Sequence, residues 1–176
     1  MKKIKLYIAA SIDGYIARSD GDLDWLMKYP ITSDKNYGYN DFFESIDTII
    51  MGGRTYRDIL NMDFIWPYKD KPTYIITRKS LISKDYIHFI SENISEIVFA
   101  LKNNKGKDIW LVGGGEIISS FMSQELIDEM IITTIPVILG NGIKLFSGIS
   151  KESEWITIAN QKYDNGVTQA HYSIKR

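Results

Sequence analysis

The chain has 176 residues, with 21 Lys and Arg against 22 Asp and Glu, a net charge of −1 and no cysteine. That length suits one domain spanning 1–176 with a sizeable core. The balanced charge, with no basic block, argues against a nucleic-acid surface. The absence of cysteine excludes disulfides, thiolate chemistry and Cys-type zinc sites. No apolar run reaches the length of a membrane span, so the expected setting is the cytoplasm with no membrane partner.

Met1–Ala10 begins with lysines and then alternates apolar residues. It is too short and too alternating for a secretory leader, and Lys3–Ala10 is predicted as the first strand. Ser11–Pro30 reads as a loop rich in Asp and Gly, with a helical turn near Leu23–Lys28. Asn36–Ser45 is predicted helical, because Tyr39, Phe42, Phe43 and Ile46 recur at 3/4 spacing. Asp47–Met51 is a short buried strand and Thr55–Leu60 a short helix. Pro72–Thr77 and Ile87–Ile90 are strands. Ile94–Lys102 is a helix, with Ser91 or Asn93 as its cap. Asp108–Val112 is a strand, Glu116–Met122 a helix and Asp128–Pro136 a strand. Gly140-Asn-Gly142 marks a turn. Ile156–Tyr163 and Val167–Ile174 flank Asp164-Asn-Gly166, a hairpin signal. Parallel βαβ units that close with antiparallel strands predict an α/β fold, a mixed sheet with helices on both faces.

Three strand ends carry the candidate chemistry. Gly113, Gly114 and Gly115 lie between a strand and a helix, followed by Glu116 and Ile117. Glycines there let the backbone approach a ligand closely, and the helix N-terminus aims free N–H groups at the same spot, an arrangement that suits phosphate. Met51-Gly-Gly-Arg-Thr-Tyr56 repeats the pattern, with Gly52 and Gly53 in the turn. Arg54 adds a cationic fork and Thr55 a hydroxyl. Thr77, Arg78 and Lys79 end a third strand with a hydroxyl and two cations. Together these ends suggest one extended phosphate-bearing cofactor across the sheet edge. Ligands in α/β sheets sit beyond the C-terminal strand ends, where Ser11-Ile-Asp13-Gly14 also falls. His88 and His171 lack metal-ligand spacing and are read as structural. No Ser/His/Asp nucleophile motif occurs. The chemistry left for such a site is group or hydride transfer. Asp13, Asp24 and Asp41 are the carboxylates near the strand ends that could supply a proton.

Ala10-Ser-Ile-Asp-Gly-Tyr-Ile-Ala17, Asp22-Leu-Asp-Trp-Leu26, Met51–Tyr56, Trp110–Ile118, Leu126–Thr133, Leu139–Gly142 and Leu145-Phe146 occur in one order. In this order they resemble the dihydrofolate reductase-like superfamily nearly end to end. The chain looks closest to stand-alone relatives of the bacterial riboflavin-biosynthesis reductase, the RibD C-terminal domain. The resemblance implies a three-layer sandwich around a mixed sheet of about eight strands, an NADPH cofactor, a pterin- or pyrimidine-like substrate and a homodimer. It implies that Ala10 and Ser11–Gly14 lie by the nicotinamide and that Trp25 sits in a mobile loop over it. Arg54 and Thr55 would hold the cofactor's 2′-phosphate and pyrophosphate side, with Gly52 and Gly53 also at the cofactor. Thr77, Arg78 and Lys79 would border the adenosine phosphate, and Gly113, Gly114, Gly115, Glu116 and Ile117 would hold the pyrophosphate. Asp13 and Asp41 are the catalytic candidates. The superfamily's pterin-protonating acid would fall near Tyr37 or Gly38, where no carboxylate stands. The first of two commonly basic positions is Gly53, which leaves Arg54. The activity implied first is reduction of 5-amino-6-(5-phosphoribosylamino)uracil. A folate or other pterin reductase and a non-catalytic dinucleotide-binding module are the rivals. Trp155, Ile156, Ile158 and Tyr163 on the late strands would pair with a second copy.

Overall fold

The computed structural model describes residues 1–32, 35–62, 65–68, 70–149 and 151–176. In chain order the elements are β1 (Ile4–Ser11), β2 (Tyr15–Ala17), α1 (Tyr39–Ser45), β3 (Ile46–Gly52), α2 (Gly53–Leu60), β4 (Thr73–Ile76) and β5 (Ile87–Ile90). Then follow α3 (Ile94–Asn103), β6 (Asp108–Gly113), α4 (Gly115–Ser123), β7 (Glu129–Ile135), β8 (Ile143–Lys144), β9 (Trp155–Lys162) and β10 (Thr168–Ile174). Eight strands form one sheet in the order β5-β4-β3-β6-β1-β7-β10-β9. The pairs from β5 to β7 are parallel, and β10 and β9 join antiparallel. The mixed sheet and its antiparallel close are as the alternation of patterns predicts.

Alternation sends successive side chains of β1 to opposite faces. Ile4 and Leu6 enter a cluster with Val98 and Leu101 of α3 and Ile118 and Phe121 of α4. Tyr7 faces the other way, towards Phe42 of α1 and Trp110, with Tyr56 and Ile59 of α2 alongside. Helices therefore cover both faces. The central strand β3 is buried along almost its whole length, so it reads as an apolar run rather than an alternation.

Four details differ from the sequence reading. The helix expected over Asn36–Ser45 begins at Tyr39, because Tyr37 (φ 52) and Gly38 (φ 75) are left-handed and the Gly38 N–H donates to Asn36 Oδ1 at 2.8 Å. That local turn competes with the helix for the same backbone groups. Asn93 stands at the start of α3 but is left-handed and makes no side-chain cap bond. The Ser11–Pro30 loop contains β2, which pairs with β8 at Tyr15↔Lys144 and Ala17↔Ile143. Two or three residues are too few to show a period. Finally, Trp155 and Tyr163 pack into the chain's own clusters, leaving Ile156 and Ile158 exposed on the edge strand β9.

Candidate functional site

The ladders around β1 open a crevice at the carboxyl edge. Pairing of β1 with β6 stops at Leu6↔Leu111, whereas pairing with β7 runs on to Ser11↔Ile135. The chain leaves β1 for β3, β4 and β5 before β6 returns between β3 and β1. This is where the strand order reverses, and ligands of open α/β sheets bind at such points.

The two glycine turns meet beside the crevice. A Cβ at position 52 would stand 2.9 Å from Ile117 Cγ1 and 3.7 Å from the Gly113 carbonyl oxygen, and one at 114 would stand 3.3 Å from Thr55 Oγ1. The turns are thus in van der Waals contact, with Gly113 at φ 123 in the region that favours glycine. The Gly113–Gly114 peptide is cis. The caps of α2 and α4 are Gly52 and Gly114, and neither helix has a side-chain cap bond. Two sets of N-terminal N–H groups are therefore left for a ligand or water. Glu116 is exposed in the first turn of α4, where its main chain belongs to this set. A third wall comes from β8: the Leu145 N–H donates to the Gly14 carbonyl at 2.8 Å, and a Cβ at 115 would lie 2.9 Å from the Lys144 carbonyl oxygen.

Arg54 reaches across from α2. Its Nη2 donates to the Asp20 carbonyl at 3.0 Å, and its Nε lies 3.9 Å from Asp58. Thr77 is half-buried at the end of β4, and a Cβ at Gly53 would be 3.1 Å from its hydroxyl. Thr77 and Lys79 line a cavity of about 130 Å³ with Gly53, Tyr56, Arg57 and Phe89. Arg78 is exposed outside that lining. The structure thus brings together the strand ends of β3, β4 and β6. Tyr56, Arg57 and Phe89 escaped the sequence reading, although Arg57 lies four positions beyond Gly53 on a helix and so shares its face.

Other residues take different places. Ala10 is 3 % exposed with its methyl in the core, so only its main chain can meet a ligand. The Ser11 hydroxyl donates to Asp13 Oδ1 at 2.6 Å and accepts the Tyr15 N–H at 2.9 Å. Asp13 also accepts the N–H groups of Leu139 (3.1 Å) and Gly140 (2.7 Å). The Ser11 hydroxyl and these backbone donors lower its pKa to about 2. Asp13 thereby clasps the turn after β1 to the loop after β7. Asp24 is paired with Arg18 at 2.6 Å. Asp41 is exposed in the first turn of α1. Trp25 is 2 % exposed, packed with Tyr37, Ile135 and Val167, and its Nε1 has no partner among the described residues. It is a core residue anchoring the 24–29 turns, whereas a mobile-loop lid would present an exposed ring.

A polar network lies next to that cluster. Tyr7 donates to the Tyr37 carbonyl at 2.8 Å, and Gln169 Nε2 donates to the same carbonyl (2.9 Å) and to Thr133 Oγ1 (2.7 Å). Burial pushes Tyr7 up to about 12, so it stays a donor. Sequence patterns could not join residues this far apart. His88 stacks on Tyr74, and His171 Nε2 lies 3.2 Å from Glu129. Among the described residues no cluster of three or more His, Asp or Glu could hold a metal, and no helix is long and apolar enough to cross a membrane.

The geometry has clear relatives. The uncharacterized protein YwjB of Bacillus subtilis (strain 168) is 39 % identical over 172 residues, covering 97 % of each chain. The crystal structure of a "Putative riboflavin biosynthesis protein" from Shewanella sp. PV-4 superposes with a TM-score of 0.88 at 31 % identity, covering 99 % of both chains. A dihydrofolate reductase from Enterococcus faecalis, complexed with NADP(H), shares the fold with a TM-score of 0.71 at 14 % identity, over 99 % of this chain and 97 % of that one. The three-layer architecture is therefore dihydrofolate reductase-like, as the ordered motifs imply. The model of the RibD C-terminal domain matches residues 2–169, and the chain belongs to that family.

Proposed function

We propose that the protein is an NADPH-dependent reductase that passes a hydride to a small pyrimidine- or pterin-type substrate. The substrate that fits this reading first is 5-amino-6-(5-phosphoribosylamino)uracil. The carrying observation is the meeting of the Gly52–Thr55 and Gly113–Gly115 turns, with two uncapped helix N-termini, beside the crevice between β1 and β6. A Cβ at 52 or 114 would press on Ile117 or Thr55 and push the two turns apart, and the N–H donors and Arg54 supply the charge complement of a pyrophosphate.

A bound dihydronicotinamide would supply the hydride, received at C1′ of the ribose in its ring-opened imine form, while the imine nitrogen takes a proton. The chain's own part is alignment and exclusion of water. The Ser11–Asp13–Gly140 clasp fixes the turn after β1 on one side of the crevice, and Gly115 seats α4 on β8 at the other. Because Asp13 holds its charge down to about pH 2, it orients donors and releases no proton at neutral pH. Asp41, exposed on α1, is the other catalytic candidate.

The family and its reductase relatives support this reading, as does the fold shared with the NADP(H)-bound enzyme. It is tested by titrating NADPH and NADH by calorimetry, then by turnover of the uracil derivative, dihydrofolate and simple imines. Micromolar NADPH binding with oxidation by the uracil derivative is expected. Binding with no turnover of any candidate would favour a non-catalytic module, and no binding would remove both readings.

A further inference from the structure

We propose that Gln169, with Thr133, reads the lactam edge of the substrate, a ring N–H beside a ring carbonyl. This rests on the reductase reading above and names the group by which the ring would be gripped. Tyr7 is the first residue of β1 beyond the end of its pairing with β6, so it stands at the crevice. Two residues on, Ala9 pairs with Thr133, and Thr133 pairs with Gln169. Paired residues share a face of the sheet, and so do residues two apart on a strand. Tyr7, Thr133 and Gln169 therefore form one polar strip across β1, β7 and β10, on the face where Tyr7 meets Phe42 of α1.

The bonds within the strip decide which atoms are left over. The Tyr37 carbonyl can only accept, so it takes the Tyr7 hydroxyl proton at 2.8 Å and one N–H of Gln169 at 2.9 Å. Gln169 Nε2 also donates to the Thr133 hydroxyl at 2.7 Å. The side-chain amide is thus held by its nitrogen, and its Oε1 accepts from no described residue. Among the described residues the sealed polar atoms without a partner are Trp25 Nε1 and Trp66 Nε1, so Gln169 Oε1 is open to solvent or a ligand. A Cβ at Gly38 would stand 3.9 Å from it, and the bare Cα leaves that side uncrowded. The Thr133 hydroxyl accepts from Gln169 and keeps its own proton to donate. Thr133 is 4 % exposed, and a buried hydroxyl proton with no acceptor is costly, which favours a bound carbonyl. One acceptor and one donor, oriented by bonds already made, are the complement of a cyclic N–H and C=O. A ring with methylated nitrogens has nothing to give Oε1.

The test adds 5,6-diaminouracil, or its 1,3-dimethyl derivative, to the isotope-labelled chain held with NADPH and follows the amide signals. The expected result is a saturable shift of the Gln169 side-chain amide with the first ring, and binding about tenfold weaker or worse for the dimethyl ring. Gln169→Ala and Gln169→Met should each bring the two rings within about threefold of one another, with the calorimetric NADPH affinity unchanged. Gln169→Met keeps the side-chain length, so it tests the acceptor even where Gln169→Ala loosens Tyr37. Thr133→Val should weaken the first ring about tenfold. A wild type that binds the two rings equally, or binds neither, would overturn the assignment, and so would a preference that survives in both Gln169 variants. A chain that binds no NADPH would instead overturn the reductase reading, and the same two rings titrated without nucleotide would decide the lactam seat by the same criterion.

Discussion

The two edges of the sheet handle charge in opposite ways. At the amino edge the charges pair with one another: Lys2 with Asp47, Lys3 with Glu129, Lys5 with Asp108 and Glu129, and both Lys102 and Arg176 with Asp128. Burial pushes the Glu129 carboxyl up, but the hydrogen bond from Lys3 and the charge of Lys5 outweigh it and hold it below its usual range. At the carboxyl edge the glycine turns and two helix starts without side-chain caps leave backbone donors open, beside Arg54, which reaches the Asp20 carbonyl and lies 3.9 Å from Asp58. A self-satisfied edge serves the fold, whereas open donors at the other edge suit the proposed dinucleotide. Both edges are rich in charged or hydrogen-bonding groups, so content alone does not tell them apart.

The comparison can be broken hardest at the amino edge. Asp128 accepts from Lys102 at 2.6 Å, from the Ile4 N–H at 2.8 Å and from Arg176. Asp128→Ala would leave a buried lysine unpaired and should cost about 3–5 kcal/mol in chemical denaturation. NADPH affinity of the molecules that remain folded should stay unchanged, and a loss of affinity would mean that the edges are not separate. Gly113→Ala acts at the other edge. Its φ of 123 strains any side chain, so a cost of about 1–3 kcal/mol is expected, now with loss of nucleotide binding. Preserved binding would show that the turn is only a connector.

Arg54→Ala sharpens the contrast. The side chain is exposed, so the stability change should be within about 0.5 kcal/mol, while NADPH should bind about tenfold more weakly. The smallest effect is expected from Asp13. Its folded pKa of about 2 lies below that of the unfolded chain, so the clasp favours folding above about pH 4 and this contribution is lost as pH falls towards 2. The melting-temperature gap between wild type and Asp13→Asn should therefore narrow between about pH 5 and about pH 2. A gap independent of pH would deny Asp13 that role.

Much of this layout was legible in the chain itself. Apolar runs such as Ile49-Ile-Met51 and Trp110-Leu-Val112 announced buried strands, and glycines directly after them marked close backbone approach. Where short-range hydrogen bonds compete with periodicity, the pattern misled, as at Asn36–Gly38. Motifs also could not say which way a side chain turns. Ala10 and Trp25 lie in motifs at the site but spend their side chains on the core. Arg57 is the converse, silent as a motif and placed at the cavity by one helical turn. The network of Tyr7, Thr133 and Gln169 joins three strands and exists only once the sheet is assembled.

The most direct test of the division between the edges is an amide chemical-shift map of the labelled protein titrated with NADPH. The account predicts that the perturbed amides cluster at Gly52–Thr55, Thr77–Lys79 and Gly113–Ile117, with those of Lys2, Asp47, Asp108 and Asp128 unmoved. Perturbations centred on the amino edge, or none at saturating nucleotide, would contradict it.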